Sequence, residues 1–387
     1  MTRSEDPPVA DMVIAHDYLT QRGGAERVVL ALHRMYPDAP IYTTLYHPEG
    51  TFPEFADATI ITSPLNKIGV LRRHHRLALP LLPLVAWTMR VPTKMAIVST
   101  SGWAHGFRFT GRTVVYCHTP ARWIYLMEEY VGQPWWKNPR GVMAVLLRPF
   151  LRFWDHRAMA RRDFCLGNST VVQERIRQVY RRQDVGLVHP PHDVDIHGAM
   201  QPIPGVEHWG DGNGYFLVVS RLLPYKNVDA VIMAAQAAGQ RLLVVGRGPH
   251  EMHLRSLVQR DVIFVKDLPE PQLRWAYSHA TALVAVSYED FGITPLEASA
   301  WGKPTIALQA GGYLDTIVDG VNGVFADSAA PHDIARAMQE TLERKWDVDK
   351  LQAHARRFSE QRFAHEIHRL VLQITAELAS GQQDSAA

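Results

Sequence analysis

The sequence predicts an α/β chain built as two doubly wound parallel-sheet domains. Three observations carry that prediction. Its 387 residues exceed one ordinary hydrophobic core and suit two. Short apolar runs alternate with helix-length periodic segments through both halves, the pattern of strand–helix–strand units with a parallel sheet. A stretch from His189-Pro190-Pro191 through Pro202, Pro204, Gly205, Gly210, Gly212 and Gly214 breaks that alternation and reads as a linker. The expected domains are therefore 1–200 and 201–358, with a final helix over roughly 359–378 inside a 359–387 segment.

Composition narrows the function. Hydrophobic residues make up 47% and charged residues 21%, a globular balance, and the net charge of +2 argues against bulk nucleic-acid binding. Two cysteines, Cys117 and Cys165, sit in apolar runs; they are too few for a disulfide scaffold or a cysteine metal site, and suit a reducing cytoplasm. No signal peptide is expected, and Met1–Ala10 reads as a disordered tail. The longest apolar stretch, Leu77–Trp87, carries two prolines and is too short to span a bilayer. With the basic run Arg72-Arg73-His74-His75-Arg76 before it, it reads either as an interfacial segment or as a solvated face followed by a core helix.

In the first half, Met12–His16 reads as a buried strand. Gly23-Gly24 then opens a helix through about Tyr36, where backbone N–H groups can approach a phosphate; a plain tight turn is the alternative. His16 and Asp17 flank this turn in a capping or a functional role. Strands are expected at 41–45, 59–62, 96–99 and 113–117. The last ends in His118, which a parallel sheet would aim into a ligand crevice. Arg148–Arg162 reads as a helix. Asp163–Gly167 reads as a strand, capped into the next helix (Val171–Arg182) by Asn168 or Ser169.

In the second half, the strand Tyr215–Ser220 ends at Arg221, and Lys226 precedes the next helix. Two cations at a strand end can hold a diphosphate, although two surface charges five residues apart are the plainer reading. Arg241–Pro249 reads as another strand with a Gly-rich turn; a full Gly-x-Gly-x-x-Gly is absent, so hydride chemistry is poorly supported. After the strand Val262–Val265 come Lys266, Asp267 and Leu268. The strand Ala282–Ser287 leads into Glu289, Phe291-Gly292-Ile293-Thr294, Pro295 and Glu297. Pro295 suits a first helical turn and Thr294 its N-cap, which would place the N–H groups of 292–294 at the positive end of a helix dipole. Taken alone, the two glutamates could be helix-terminal charges only. Gly311-Gly312 is a close-approach pair, and Val318–Gly323 reads as a hairpin-like turn.

Four strings, each at an expected strand end and in this order, resemble retaining glycosyltransferases of family 4: Gly-Gly-Ala-Glu-Arg from Gly23, Cys-His-Thr-Pro from Cys117, Ser-Arg-x4-Lys from Ser220, and Glu-x7-Glu from Glu289 to Glu297. The likeness runs over about 12–357. It implies the GT-B fold, two Rossmann-like domains facing across a cleft, with the last helix crossing back onto the first domain. It implies that Gly23 and Gly24 face the donor diphosphate and acceptor, and that Arg221 and Lys226 hold the diphosphate. By the same likeness Glu289 with the N–H groups of Phe291, Gly292, Ile293 and Thr294 holds the donor sugar. Glu297 holds the ribose, His118 lies near the sugar, and Lys266, Asp267 and Leu268 present backbone to the base. Lys266 departs from the small residue usual there.

The activity so implied is metal-independent transfer of a sugar, with retention, from a nucleotide sugar to a glycan or lipid-linked acceptor. No cofactor is expected. The Cys-His-Thr-Pro subgroup points to mannosyltransferases and GDP-mannose, with a UDP-sugar as the alternative donor. A nucleotide-sugar epimerase on the same fold and a non-catalytic sugar-nucleotide binder are the rival readings. Trp135-Trp136 would serve as an acceptor wall or simply pack.

Overall fold

The computed structural model describes residues 9–79, 81–125, 139–192, 194–212 and 214–384. The motif neighbours Glu128, Glu129, Tyr130, Trp135 and Trp136 lie outside them. The chain divides into two compact units, Met1–Pro191 with Glu360–Ala387, and His192–Ser359.

In the first unit the strands are β1 (Ala10–His16), β2 (Ile41–Thr43), β3 (Ile60–Thr62), β4 (Arg90–Val91), β5 (Thr93–Thr100), β6 (Arg108–Phe109), β7 (Arg112–Cys117), β8 (Phe164–Gly167) and β9 (Val185–Leu187). Seven form one sheet in the order β3-β2-β1-β5-β7-β8-β9, and β4 pairs with β6 apart from it. Every pairing is parallel. Parallel strands covered on both faces read as unbroken apolar runs, which is why Val13-Ile14-Ala15 and Val114-Val115-Tyr116 are fully buried. The order reverses between β1 and β5, so the loops after these two strands diverge and leave room for a ligand there.

The second unit holds β10 (Phe216–Val219), β11 (Leu242–Val245), β12 (Val262–Val265), β13 (Ala282–Ala285), β14 (Thr305–Leu308) and β15 (Gly323–Ala326), in the order β12-β11-β10-β13-β14-β15, all parallel. Its reversal lies between β10 and β13. Its core packs Phe216, Val218, Val244 and Ile306 on one sheet face, and Tyr215, Leu217, Leu243 and Trp275 on the other.

Several boundaries differ from the sequence expectation. The division falls after Pro191, not near residue 200, because Ile203, Val206 and Trp209 are buried against Tyr215 and Trp275. The expected linker is thus mostly a packed part of the second unit. The last helix runs Glu360–Asp384, past its expected end near 378, and its Phe363, Ile367, Val371 and Ile374 bury beside Val28, Leu32 and Tyr116 of the first unit. A buried apolar side chain of that size contributes on the order of 1.5–3 kcal/mol. The helix expected from Arg148 spans Pro139–Met159 and holds Pro149 inside it. Ala10 belongs to β1 rather than to a tail. The stretch Val318–Gly323 is no hairpin: it turns at Gly320 and feeds β15, which runs parallel to β14. Both cysteines are buried thiols in no disulfide, and burial pushes the Cys165 thiol up to about 12.

Candidate active site

In the second unit the reversal point brings together two of the charged residues that the sequence singles out, Lys226 and Glu289. Glu289 stands in the loop after β13 and Lys226 in the short turn after β10. Because β10 and β13 are neighbours, both reach one place: Lys226 Nζ lies 2.5 Å from Glu289 Oε1, with each side chain largely buried. Ser287 Oγ donates to the same oxygen at 2.6 Å and is 3.2 Å from the Tyr313 hydroxyl. Asn227 adopts a left-handed conformation and donates from Nδ2 to Val286 O at 2.7 Å, tying the Lys226 turn to the end of β13. Arg221 is exposed at the end of β10, with Nη2 3.5 Å from the Tyr225 hydroxyl. These cations and N–H groups can stabilise a phosphate leaving group.

The loop geometry depends on two glycines. Gly292 has φ +81°, and a Cβ there would overlap the Tyr313 ring. A Cβ on Gly312 would overlap Phe291 Cα and come within 2.5 Å of Asp290 O, while Gly312 N–H donates to Glu289 O at 2.8 Å. The 289–292 loop therefore lies directly on the 311–313 turn, which the sequence marked only as a close-approach pair.

The following helix runs Thr294–Ala300. Its N-cap is Ile293, whose carbonyl accepts from Leu296 N and Glu297 N; Thr294 is the first helical residue, not the cap, and Pro295 follows it. Glu297 is buried, and the Tyr277 hydroxyl donates to its Oε2 at 2.7 Å. Lys266 and Asp267 are exposed beyond β12, Leu268 packs partly on the core, and Asp267 pairs with Arg247 at 3.1 Å. Away from these residues, Asp229, His250 and His253 each bring one possible metal-ligand atom within 4.8 Å of the others.

In the first unit, adjacent strands β1, β5 and β7 set His16, Ser99 and His118 in a row. His16 pairs in register with Ser99, and Ser99 with Tyr116. His16 Nδ1 lies 3.0 Å from Ser99 O and 3.1 Å from its Oγ, and that Oγ lies 2.8 Å from His118 Nε2. His16 Nε2 is 4.0 Å from Glu26 Oε1. Burial opposes charge on His16, but hydrogen bonding to Glu26 and its carboxylate's field, with Asp17, outweigh burial and raise its pKa. His118 is pushed down to about 3 by burial and then by His16. The Ser99 carbonyl can only accept, so His16 Nδ1 carries its proton toward Ser99, and the Ser99 hydroxyl is left to donate to His118 Nε2. His118 is then a neutral ring with its proton on Nδ1.

Gly23 is the N-cap of the Gly24–Met35 helix. A Cβ on Gly23 would sit 2.6 Å from Glu26 Oε2, whereas Gly24 faces open space. Asp17 is wholly structural in its bonding: its carboxylate accepts from Thr100 Oγ1, Ser101 N, Trp103 N and Ala104 N at 2.6–3.0 Å and holds the loop after β5. Ser169, not Asn168, caps the next helix, accepting from Val172 N at 3.2 Å. The partners that sequence reading missed are Ser99, Ser287, Tyr277 and Tyr313. None carries a local signal, since each acts on a residue at a distant or unpatterned spacing.

Comparison with known proteins agrees with this architecture. Residues 201–362, most of the second unit, match the family described as glycosyl transferases group 1. The crystal structure of Anabaena Alr3699/HepE in complex with UDP-glucose superposes with a TM-score of 0.67 at 18% identity, covering 94% of this chain and 99% of that one. The fold is GT-B, as expected. The D-inositol 3-phosphate glycosyltransferase of Mycolicibacterium smegmatis is 26% identical over 214 residues, 51% of this chain and 49% of that protein. The GDP-mannose-dependent alpha-(1-6)-phosphatidylinositol monomannoside mannosyltransferase of the same organism is 30% identical over 180 residues, 40% of this chain and 47% of that protein. The chain thus spans about half the length of these curated relatives. Among the described residues, no helix is long and apolar enough to cross a membrane.

Proposed function

We infer that the protein is a retaining glycosyltransferase of family 4, transferring mannose from GDP-mannose to a glycan or lipid-linked acceptor. The observation that carries this reading is the Lys226–Glu289 contact at the reversal point of the second sheet, with Arg221 at the end of β10 against Tyr225 and Glu297 held by Tyr277. A group-1 glycosyl transferase domain spans these residues.

In this reading Arg221 and Lys226 neutralise the nucleotide diphosphate as the C1–O bond breaks, and the departing phosphate takes the acceptor's proton on the same face. Glu289 and the backbone of Phe291–Thr294 hold the sugar, Glu297 the ribose, and Lys266–Leu268 the base. Neutral His118 donates from Nδ1 to a sugar hydroxyl, and Gly24 leaves its backbone open to the diphosphate or acceptor. No step is routed through a metal. The mannosyltransferase relative favours GDP-mannose. A UDP-sugar is the second reading, favoured by the UDP-glucose complex of the structural neighbour. The lipid-linked acceptor and work at the inner face of a membrane rest on the Ile68–Trp87 segment. There Ile68, Val70, Leu77, Leu84 and Trp87 are each about half exposed, while Ala78 and Leu82 are core.

The test is sugar release or transfer from GDP-mannose and UDP-glucose by wild type and Arg221→Ala. Wild type should consume GDP-mannose, and the variant should turn over at least tenfold more slowly, since one such cation is worth on the order of a few kcal/mol. Equal rates would remove Arg221 from the mechanism.

A further inference from the structure

The first unit contains a cavity of about 450 Å³ lined by Trp87, Arg108, Phe109, Thr113, Arg161 and Arg162, with Phe107 and Gly111. It sits where β7 begins, whereas His118 follows the end of β7. A six-residue strand separates the two, roughly 20 Å of chain.

Its three arginines have no close ion-pair partner among the described residues. Among the described residues, no carboxylate comes within ion-pair distance of Arg108, Arg161 or Arg162. The neighbouring Asp163 is already committed: Oδ1 accepts from Arg112 Nη1 at 2.5 Å, and Oδ2 from Thr113 N and Oγ1 at 3.0 and 2.9 Å. Arg108 lies over the Trp87 ring at 4.6 Å and Arg162 over the Phe109 ring at 5.1 Å, so aromatic faces hold two of the three cations in place. Arg162 donates from Nε to Ala158 O at 3.2 Å, a bond that uses only one of its five N–H groups. Burial pushes its guanidinium down to about 10; the Asp163 carboxylate partly opposes this, and the like charge of Arg161 adds to it. An anion in the cavity would stabilise the charged guanidinium. Guanidinium forks favour phosphate over a bare point charge, because they bond two oxygens at once. Trp87, which lines the cavity, is 49% exposed, and Leu84, three residues before it on the same helix, is 57% exposed, so the two form an apolar surface that leads away from the charge.

We propose that this cavity is a phosphate-binding site, separate from the residues around His118, for a phosphate group carried on an apolar body. It stands independently of the transfer reaction. The phosphate could belong to a soluble ester or to a lipid headgroup, and the test separates them.

The experiment is calorimetric titration of the full chain with inorganic pyrophosphate, alongside co-sedimentation with phosphatidylcholine vesicles with and without phosphatidic acid. It compares wild type, Arg108→Gln/Arg161→Gln and Arg221→Ala/Lys226→Ala. Arg108 and Arg161 are exposed, so the first variant should fold, and an unchanged melting temperature checks this. The proposal expects Arg108→Gln/Arg161→Gln to lose one class of pyrophosphate binding by at least tenfold while GDP binding is kept, and Arg221→Ala/Lys226→Ala to retain that class. Loss of binding to phosphatidic acid vesicles in Arg108→Gln/Arg161→Gln as well assigns a lipid headgroup; pyrophosphate loss alone assigns a soluble ester. If Arg108→Gln/Arg161→Gln binds both probes as wild type does, the proposal is wrong. Failure of GDP to bind any form would count against the transferase reading and leave this one standing.

Discussion

Ser99 Oγ stands 2.8 Å from His118 Nε2 and 3.1 Å from His16 Nδ1, so one hydroxyl on the central strand joins two histidines from the strands on either side. The sequence offers no hint of it. Strand pairing alone brings residues 16, 99 and 118 together, and once they are together the hydroxyl decides which nitrogen of His118 carries the proton.

Ser99→Ala should therefore do more than remove a small side chain. It leaves a buried histidine nitrogen without its partner, at a cost of about 1–3 kcal/mol, read from a urea midpoint. It should also free His118 to change tautomer, visible in the imidazole nitrogen shifts. An unchanged midpoint and an unchanged His118 tautomer would mean the hydroxyl does not set the ring.

The depressed pKa of His118 has a sign that can be checked. In the unfolded chain the ring protonates near its ordinary value of 6.5, while in the fold it stays neutral until about 3. The unfolded state thus binds more protons between those values. Stability from this group is fully present above 6.5 and falls as the pH drops below it, by up to about 1.4 kcal/mol per pH unit. His16, with its pKa raised, contributes in the opposite sense: its stability is present below 6.5 and is lost as pH rises through its folded value. Replacing His118 by Asn should flatten the decline of the urea midpoint between about pH 6.5 and 5. A slope equal to wild type would show that another group governs it.

Much of the second unit was legible. Apolar runs of four to six residues marked β10 to β13, and β12 falls on the predicted bounds. Charged residues at their ends pointed to the reversal point without any structure, because a parallel sheet puts every strand's carboxyl end on one edge. Three things were not legible. Ser287 and Tyr313 meet only because Gly312 lets two loops touch. The 192–214 segment looked like a linker because its prolines and glycines mask the three apolar residues that pack. The β4–β6 pair is two residues long, too short to leave a pattern.

Tyr277 offers a conservative probe of Glu297. Its hydroxyl is a donor to Oε2, so Tyr277→Phe removes the bond and keeps the ring. A hydrogen bond to a charged group is worth about 1.5–3 kcal/mol, so nucleotide affinity should fall by roughly ten- to a hundredfold if Glu297 must be held to bind ribose. Affinity equal to wild type would mean that Glu297 is positioned without Tyr277.

The most direct test of the central claim is a thermal-shift titration of the purified protein with GDP, UDP, ADP and dTDP, then with the matching sugar nucleotides. A ligand that binds only the folded state raises the melting temperature by mass action. The proposed reading predicts a rise with GDP and a larger one with GDP-mannose, both lost in Glu297→Gln. A selective rise with UDP-sugars would keep the transferase and discard mannose. No rise with any nucleotide or nucleotide sugar would contradict the account.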